Sequence, residues 1–395
     1  MIYADAASTT RLSQTALEKA LPFLRDSFGN PSSRHSLGVA AKRALEEARA
    51  LIAESIGAKP EEIVFTSGAS EANAWVISNV GGGKTDAETR RSGAGRVVTS
   101  AIEHPSVRKM CDALKRQGVG VEYLTVDRDG IVSVDALKTT LAASRKGNVN
   151  LATIMFANNE IGAIQPIAEI GALSRTFDVP FHTDATQAVG HIPLDVSALN
   201  VDFLTASAHK FNGPKGVGFL FCRRGVVISP ILEGGGQERG LRAGTENVAG
   251  AVATAYALAE NVATLAETTV KTRRITSEIV ERLQTALPQG AFTVVGDESR
   301  RLPGTINLAF KDVRGDALAQ ILDLKGVCAS TGAACSSGKT EPSPTALALG
   351  FSPEAAKSSV RLSFDRDNSP SDAAVVAEAL AFAYRKITAA QRRQR

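Results

Sequence analysis

The chain has 395 residues, 44% of them hydrophobic and 22% charged, so it can bury a large core and is long enough for two domains; a disordered chain is excluded. Its 45 basic and 41 acidic residues nearly cancel and aromatic residues make up 5%, which leaves neither the basic field nor the stacking surface that nucleic-acid binding needs. Four cysteines (Cys111, Cys222, Cys328 and Cys335) lack C-x-x-C spacing and five histidines form no H-E-x-x-H pattern, so neither a disulfide framework nor an intrinsic metal site is expected; reduced thiols in a cytoplasm fit this usage.

The start, Met1 to Asp5, has no basic residue ahead of an apolar run, so no secretory signal is expected. Short apolar runs then recur at 62–66, 96–99, 151–157, 180–184, 201–206 and 216–222. Most are apolar on both faces, as buried parallel strands are. Helical patterns over 70–80 and 165–177 separate several of them, and this alternation predicts an α/β fold with a mostly parallel central sheet covered by helices.

The glycine-rich stretch 78–95 reads as a surface loop. Within it, Gly81-Gly82-Gly83-Lys84-Thr85 resembles the end of a nucleotide P-loop, but Ser78 stands where that pattern needs glycine and no strand directly precedes it. The longest apolar stretch, 248–259, falls short of the roughly 18 residues a membrane span requires and predicts a buried helix, so no membrane contact is expected. Helical character continues to about 287, and strand candidates follow at 304–310 and 360–364. We expect a large domain over 15–260 and a smaller α+β domain built from 1–14 and 261–395.

In an open α/β sheet, ligands sit beyond the carboxyl ends of the strands, so residues just after the apolar runs carry most weight. Ile63 to Ala72 passes from strand through a turn of small residues into a helix, whose free backbone N–H groups make a phosphate cup, or an ordinary turn with Ser70 as a cap. His104, shortly after the 96–99 run, has an imidazole suited to stacking on a planar ligand or moving a proton. Asp184 closes the 180–184 run, where it can pair with a protonated ring nitrogen or cap a helix, and Gln187 is placed to bond the same ligand.

Lys210 follows the 201–206 run beside Ser207 and His209 and precedes a turn at Gly213-Pro214-Lys215-Gly216. Taken singly, each of these side chains reads as a cap, a packed polar group or a solvated surface residue. Together they supply an amine for an imine, a carboxylate to keep a pyridine protonated and small polar groups for a phosphate, the requirements of pyridoxal 5′-phosphate.

The chain resembles the cysteine desulfurases of the NifS and IscS type, in the class V aminotransferase family with the type I pyridoxal-phosphate fold. The resemblance is carried by Phe28-Gly29-Asn30-Pro31-Ser32-Ser33, Thr66-Ser67-Gly68-Ala69-Ser70-Glu71, Glu103-His104-Pro105, Asn158-Asn159-Glu160-Ile161-Gly162, Asp184-Ala185-Thr186-Gln187, Ala208-His209-Lys210, Gly234-Gly235-Gly236-Gln237-Glu238-Arg239-Gly240, Arg242-Ala243-Gly244-Thr245, Ala334-Cys335-Ser336-Ser337-Gly338 with Glu341-Pro342-Ser343, and Ser359-Val360-Arg361-Leu362-Ser363.

It implies that Lys210 forms the imine with the cofactor, Asp184 pairs with the pyridine nitrogen, His104 stacks on the ring and assists proton transfer, and Gln187 contacts the ring hydroxyl. Ala69, Ser70, Ser207 and His209 would bind the phosphate, with Thr245 reaching that of the neighbouring subunit in a homodimer. Asn159, also beside the cofactor, and Arg361 would hold the carboxylate of L-cysteine, with Asn30 assisting.

Cys335, in a run of small residues, would receive the sulfur as a persulfide and pass it to an acceptor such as an iron–sulfur scaffold protein, with transient ligation of a cluster its sole expected metal contact. Cys328, after an apolar stretch, suits a small buried position better. The sequence departs from the family's usual L-D-x-x-A-T-T at Ala4-Asp5-Ala6-Ala7-Ser8-Thr9-Thr10, and Pro344 stands where histidine or tyrosine commonly follows E-P-S. A selenocysteine lyase or an ordinary aminotransferase would use the same Lys210 and Asp184 without needing Cys335. A catalytically silent sulfur carrier or scaffold subunit would need neither.

Overall fold

The computed structural model describes residues 1–82, 95–144, 148–331 and 342–394. After a short strand β1 (Ile2–Tyr3), seven strands form the central sheet: β2 (Ile63–Thr66), β3 (Arg96–Ser100), β4 (Gly120–Leu124), β5 (Val149–Thr153), β6 (Phe181–Asp184), β7 (Phe203–Ser207) and β8 (Gly218–Cys222). Their order is β2-β8-β7-β6-β5-β3-β4. Pairings from β7 to β4 are all parallel, and β8 runs antiparallel to both of its neighbours.

The unbroken apolar runs have a direct cause. Successive strand residues point to opposite faces, and both faces are covered. Ile63, Val98, Ala152, Leu204 and Phe219 face one core, which includes helices Gln14–Arg25, Ser36–Ser55 and Val248–Ala263. Their neighbours Val64, Val97, Leu151, Phe203 and Leu220 face another, which includes Trp75, Val107, Cys111 and Leu114. The edge strand β4 escaped the sequence reading because Glu122 interrupts Val121 and Tyr123, which are only half-buried.

One further expectation is corrected. Residues 78–82 are not a surface loop: Ile77–Gly81 continues helix Ala69–Val76 as a π-helical turn, with Asn79, Val80 and Gly81 buried. The rest of that stretch, 83–94 with Lys84, lies outside the described residues. The helical region after Val248 is two helices, Val248–Ala263 and Leu265–Ala286, bent by 70° at Thr264. The expected domain boundary at 260 falls inside the first of them. No single helix among the described residues is long and apolar enough to cross a membrane.

A second core gathers around a four-stranded sheet of order β12-β13-β10-β9, in which β9 is Phe292–Val294, β10 Thr305–Phe310, β12 Ser330–Thr331 and β13 Ser359–Ser363. Ile275, Ile279 and Leu283 of helix Leu265–Ala286 pack there, with Leu318 and Leu322 of helix Gly315–Leu324 and Val376, Leu380 and Ala383 of helix Asp372–Gln394. Ala4 belongs to this core, because β1 pairs in parallel with β11 (Val327–Cys328). Cys328, expected to be buried, is half-buried there, and Cys111 is the fully buried thiol among the described residues.

Gly218 opens β8 where it pairs with Thr66 and Ser207, the residues that end β2 and β7. A Cβ there would lie 2.3 Å from Ala206 O and 2.7 Å from Gly68 Cα, both backbone atoms that cannot swing away. Gly218→Ala is expected to cost about 1–3 kcal/mol by overpacking. A thermal unfolding midpoint equal to that of the wild type would contradict this packing.

Candidate active site

Three sheet strands deliver their carboxyl ends to one place. After β2, Gly68 takes a φ of +149°, which glycine tolerates and other residues do not, and helix Ala69–Val76 begins with no side-chain cap. Ser70 is therefore not the N-cap; it lies exposed in the first turn. The Ala69 N–H donates to Ser207 Oγ at the end of β7, 2.7 Å away. The N–H groups of Ser70 and Glu71 sit in the open first turn, where no intrahelical carbonyl reaches them. Such a helix start favours an anion.

Asp184 ends β6 and is 5% exposed. It does not cap a helix. Its Oδ1 accepts the Thr186 N–H at 3.0 Å and its Oδ2 accepts Asn73 Nδ2 at 2.7 Å. Asn73 is fixed in turn by Thr205 Oγ1, which donates to its Oδ1 at 2.6 Å, and its Nδ2 also reaches Ser106 Oγ at 2.9 Å. With two of about four lone-pair positions used, the carboxylate keeps acceptor capacity.

Ser106 connects this network to His104, the N-cap of helix Pro105–Arg116. His104 Nδ1 accepts the Ser106 N–H at 3.2 Å and lies 2.8 Å from its hydroxyl. Burial pulls the imidazole below its ordinary value; the Asp184 charge opposes this and the Lys210 charge adds to it. A neutral ring with Nδ1 accepting carries its proton on Nε2.

Lys210 lies in the short 3-10 turn Ala208–Lys210 after β7. Its Nζ donates to Ala7 O and Ser8 O, both at 2.8 Å, so the amine is held by carbonyls of the amino-terminal segment. The same segment meets Gln187, whose Nε2 donates to Ala7 O at 2.9 Å, and His209, whose Nδ1 lies 3.1 Å from Thr9 Oγ1. Burial takes the His209 imidazole down to about 4, with Lys210 and Lys215 adding to the effect, so it is neutral at physiological pH.

Arg361 lies in the middle of β13 and is 1% exposed. Nη1 donates to Asn159 O at 2.8 Å, and Nη2 donates to Asp5 Oδ1 at 2.6 Å and Ser8 Oγ at 2.7 Å. Its buried Nε has no partner among the described residues. Through Ala7 and Ser8, hydrogen bonds connect Lys210, Gln187 and Arg361, and through Arg361 they reach Asn159. The structure joins Asn30 and Thr245 to this group by no hydrogen bond: Asn30 is exposed, its Oδ1 taken by the Ser32 N–H, and Thr245 is exposed after Gly244.

Cys335 lies outside the described residues. Its described flanks are tied to this site. Ser330 pairs with Arg361 across β12 and β13, while Ser343 Oγ and Thr345 Oγ1 both donate to the half-buried Glu160, the neighbour of Asn159. A groove of about 1240 Å³ between helices Leu265–Ala286 and Asp372–Gln394 touches none of the side chains named above.

The chain is similar to known proteins over nearly its whole length. A family model described as aminotransferase class-V matches residues 2–376. A protein named cysteine desulfurase IscS from Clostridium botulinum is 39% identical over 379 residues, spanning 96% of this chain and 93% of its own length. A solved structure titled NifS-like protein aligns with a TM-score of 0.86 and 33% identity, covering 96% of this chain and 98% of its own. Another, titled SspA in complex with cysteine, aligns with a TM-score of 0.80 and 33% identity over 92% of this chain and 99% of its own.

Glu103, beside His104, is a buried acid that the sequence reading left without a role. Its Oε1 accepts Ser100 Oγ at 2.6 Å and the Met155 N–H at 2.8 Å, while Oε2 has no partner among the described residues. Burial pushes its carboxyl from 4.5 up to about 8, against those two hydrogen bonds and with help from the Asp184 charge. The native state thus holds this proton more tightly than the unfolded chain, and the group lowers stability progressively as pH rises from about 4.5 to about 8. Measured by thermal unfolding across that range, Glu103→Gln should become more stable relative to the wild type as pH increases. Parallel pH profiles for the two proteins would contradict the assignment.

Proposed function

The chain belongs to the class V aminotransferase family, and within it we propose that this protein is a pyridoxal-phosphate-dependent cysteine desulfurase, which takes sulfur from L-cysteine, releases L-alanine and keeps the sulfur as a persulfide on Cys335. The observation that carries the reading is the amine of Lys210 and the carboxylate of Asp184 at neighbouring strand ends, beside an open helix start. This donor set fits the cofactor: Lys210 for its aldehyde, Asp184 for its ring nitrogen, His104 for its face, Gln187 and Asn159 alongside, and Ala69, Ser70, Ser207 and His209 for its phosphate. When bound, the cofactor supplies an aldehyde carbon for imine formation and a protonated ring that accepts electron density from the substrate Cα.

Each side chain then has a task that follows from its chemistry. Arg361 and Asn159, assisted by Asn30, bind the carboxylate of L-cysteine. Lys210 Nζ, once it has shed a proton, removes the one on the substrate Cα and later returns it. Asp184 would stabilise positive charge on the ring nitrogen, and His104 would move a proton at Nε2. The Cys335 thiolate attacks the substrate sulfur: an S–S bond forms, the C–S bond breaks, its electron pair stays with carbon, and a proton taken up there completes alanine.

A homodimer is supported by an apolar stripe, Leu17, Leu21 and Leu24 on helix Gln14–Arg25 with Phe28 beyond it, exposed alongside the buried Ala16 and Ala20. Thr245 would reach across it to the partner's phosphate. The persulfide would pass to an acceptor such as an iron–sulfur scaffold protein. The free thiols of Cys111, Cys222 and Cys328 suit the reducing conditions of a cytoplasm.

Incubation with L-cysteine should yield L-alanine. Lys210→Ala should lose both the visible absorbance of the cofactor imine and alanine production, the latter by at least about a hundredfold. Alanine formed by that variant at the wild-type rate would overturn the reading.

A further inference from the structure

Asp5 and Ser8 have no part in the reaction as assigned above, yet they hold the guanidinium expected to meet the substrate carboxylate. At 1% exposure, the guanidinium charge of Arg361 needs a partner. Among the described residues its ion-pair partner is Asp5.

Ser8 closes a triangle. Its Oγ donates to Asp5 Oδ1 at 2.9 Å while accepting from Arg361 Nη2 at 2.7 Å. Both Nη2 protons and one Nη1 proton are thereby committed, which fixes the plane of the guanidinium and leaves the buried Nε unpartnered. Asp5 and Ser8 therefore orient the group without consuming all of its donors.

The segment that carries them is itself anchored. Ala4 O accepts the Ser363 N–H at 2.9 Å, and Ala7 N donates to Ser363 Oγ at 2.8 Å. On its other side, Ala7 O and Ser8 O receive Lys210 Nζ. One short stretch thus positions both cations that an amino-acid substrate must meet, at its α-carbon end and at its carboxylate. Ser8 stands where the family pattern L-D-x-x-A-T-T has alanine, so this third hydrogen bond to Arg361 departs from that pattern.

We propose that Asp5 and Ser8 are positioning residues that hold Arg361 in the orientation that binds the substrate carboxylate. This rests on the reading of Lys210 and Arg361 given above. The test is equilibrium binding to the cofactor-loaded protein, followed by cofactor absorbance, with L-alanine and with ethylamine, which lacks the carboxylate.

Ser8→Ala and Asp5→Asn should each weaken L-alanine binding by about tenfold, the scale of one charge-assisted hydrogen bond, and leave ethylamine binding and cofactor retention unchanged. L-alanine binding as tight as in the wild type, or both amines weakened equally, would overturn the inference while sparing the assignment of Lys210. A wild-type protein whose absorbance responds to neither amine would overturn both.

Discussion

A lysine ammonium and an arginine guanidinium cannot share a protein interior unless each is matched by acceptors, and that constraint organises this molecule. Lys210 rests on the carbonyls of Ala7 and Ser8, and Arg361 on Asp5, Ser8 and Asn159 O. All of these acceptors except Asn159 O come from one amino-terminal segment that begins in the second core at Ala4 and reaches the ends of the central sheet by Thr10, which caps the turn at His209 and Asn212. The segment therefore joins the two cores and fixes the charges between them.

The electrostatic pattern follows from the same burial. His104 and His209 are pulled down by desolvation with Lys210 adding to the effect, so neither imidazole contributes a competing cation at neutral pH. Arg361 makes its ion pair with Asp5. Asp184 is set in place by the Thr205, Asn73 and Thr186 hydrogen bonds, which determine the direction of its oxygens before any ligand arrives. Such preorganisation is what a site that handles charge at a substrate carbon requires.

Much of this was legible in the sequence, for physical reasons that also explain the gaps. Strands covered on both faces leave unbroken apolar runs, so β2, β3 and β5 to β8 stood out, whereas the half-solvated β4 did not. Residues just past those runs, Asp184, Ser207 and Lys210, fall where the fold presents ligands. What holds them was hidden: Asn73 and Thr205 look like ordinary polar residues of a helix and a strand, and the carbonyls of Ala7 and Ser8 are backbone atoms with no side-chain signature. Asp5 lay inside a recognised motif, but only the register of β13 brings Arg361 to it. The π-helical turn after Val76 was misread because glycine and serine there suggested a loop, although the backbone packs against β5 and helix Pro105–Arg116.

A family fold and a pyridoxal-phosphate site would serve many reactions; the sulfur acceptor is what makes this one a desulfurase. The most direct measurement is peptide mass mapping of the purified protein after brief exposure to L-cysteine, with reductant withheld. The peptide containing Cys335 should gain the mass of one sulfur atom, in step with the alanine released. Added sulfur found on Cys111, Cys222 or Cys328 instead, with Cys335 unmodified while alanine accumulates, would contradict the account.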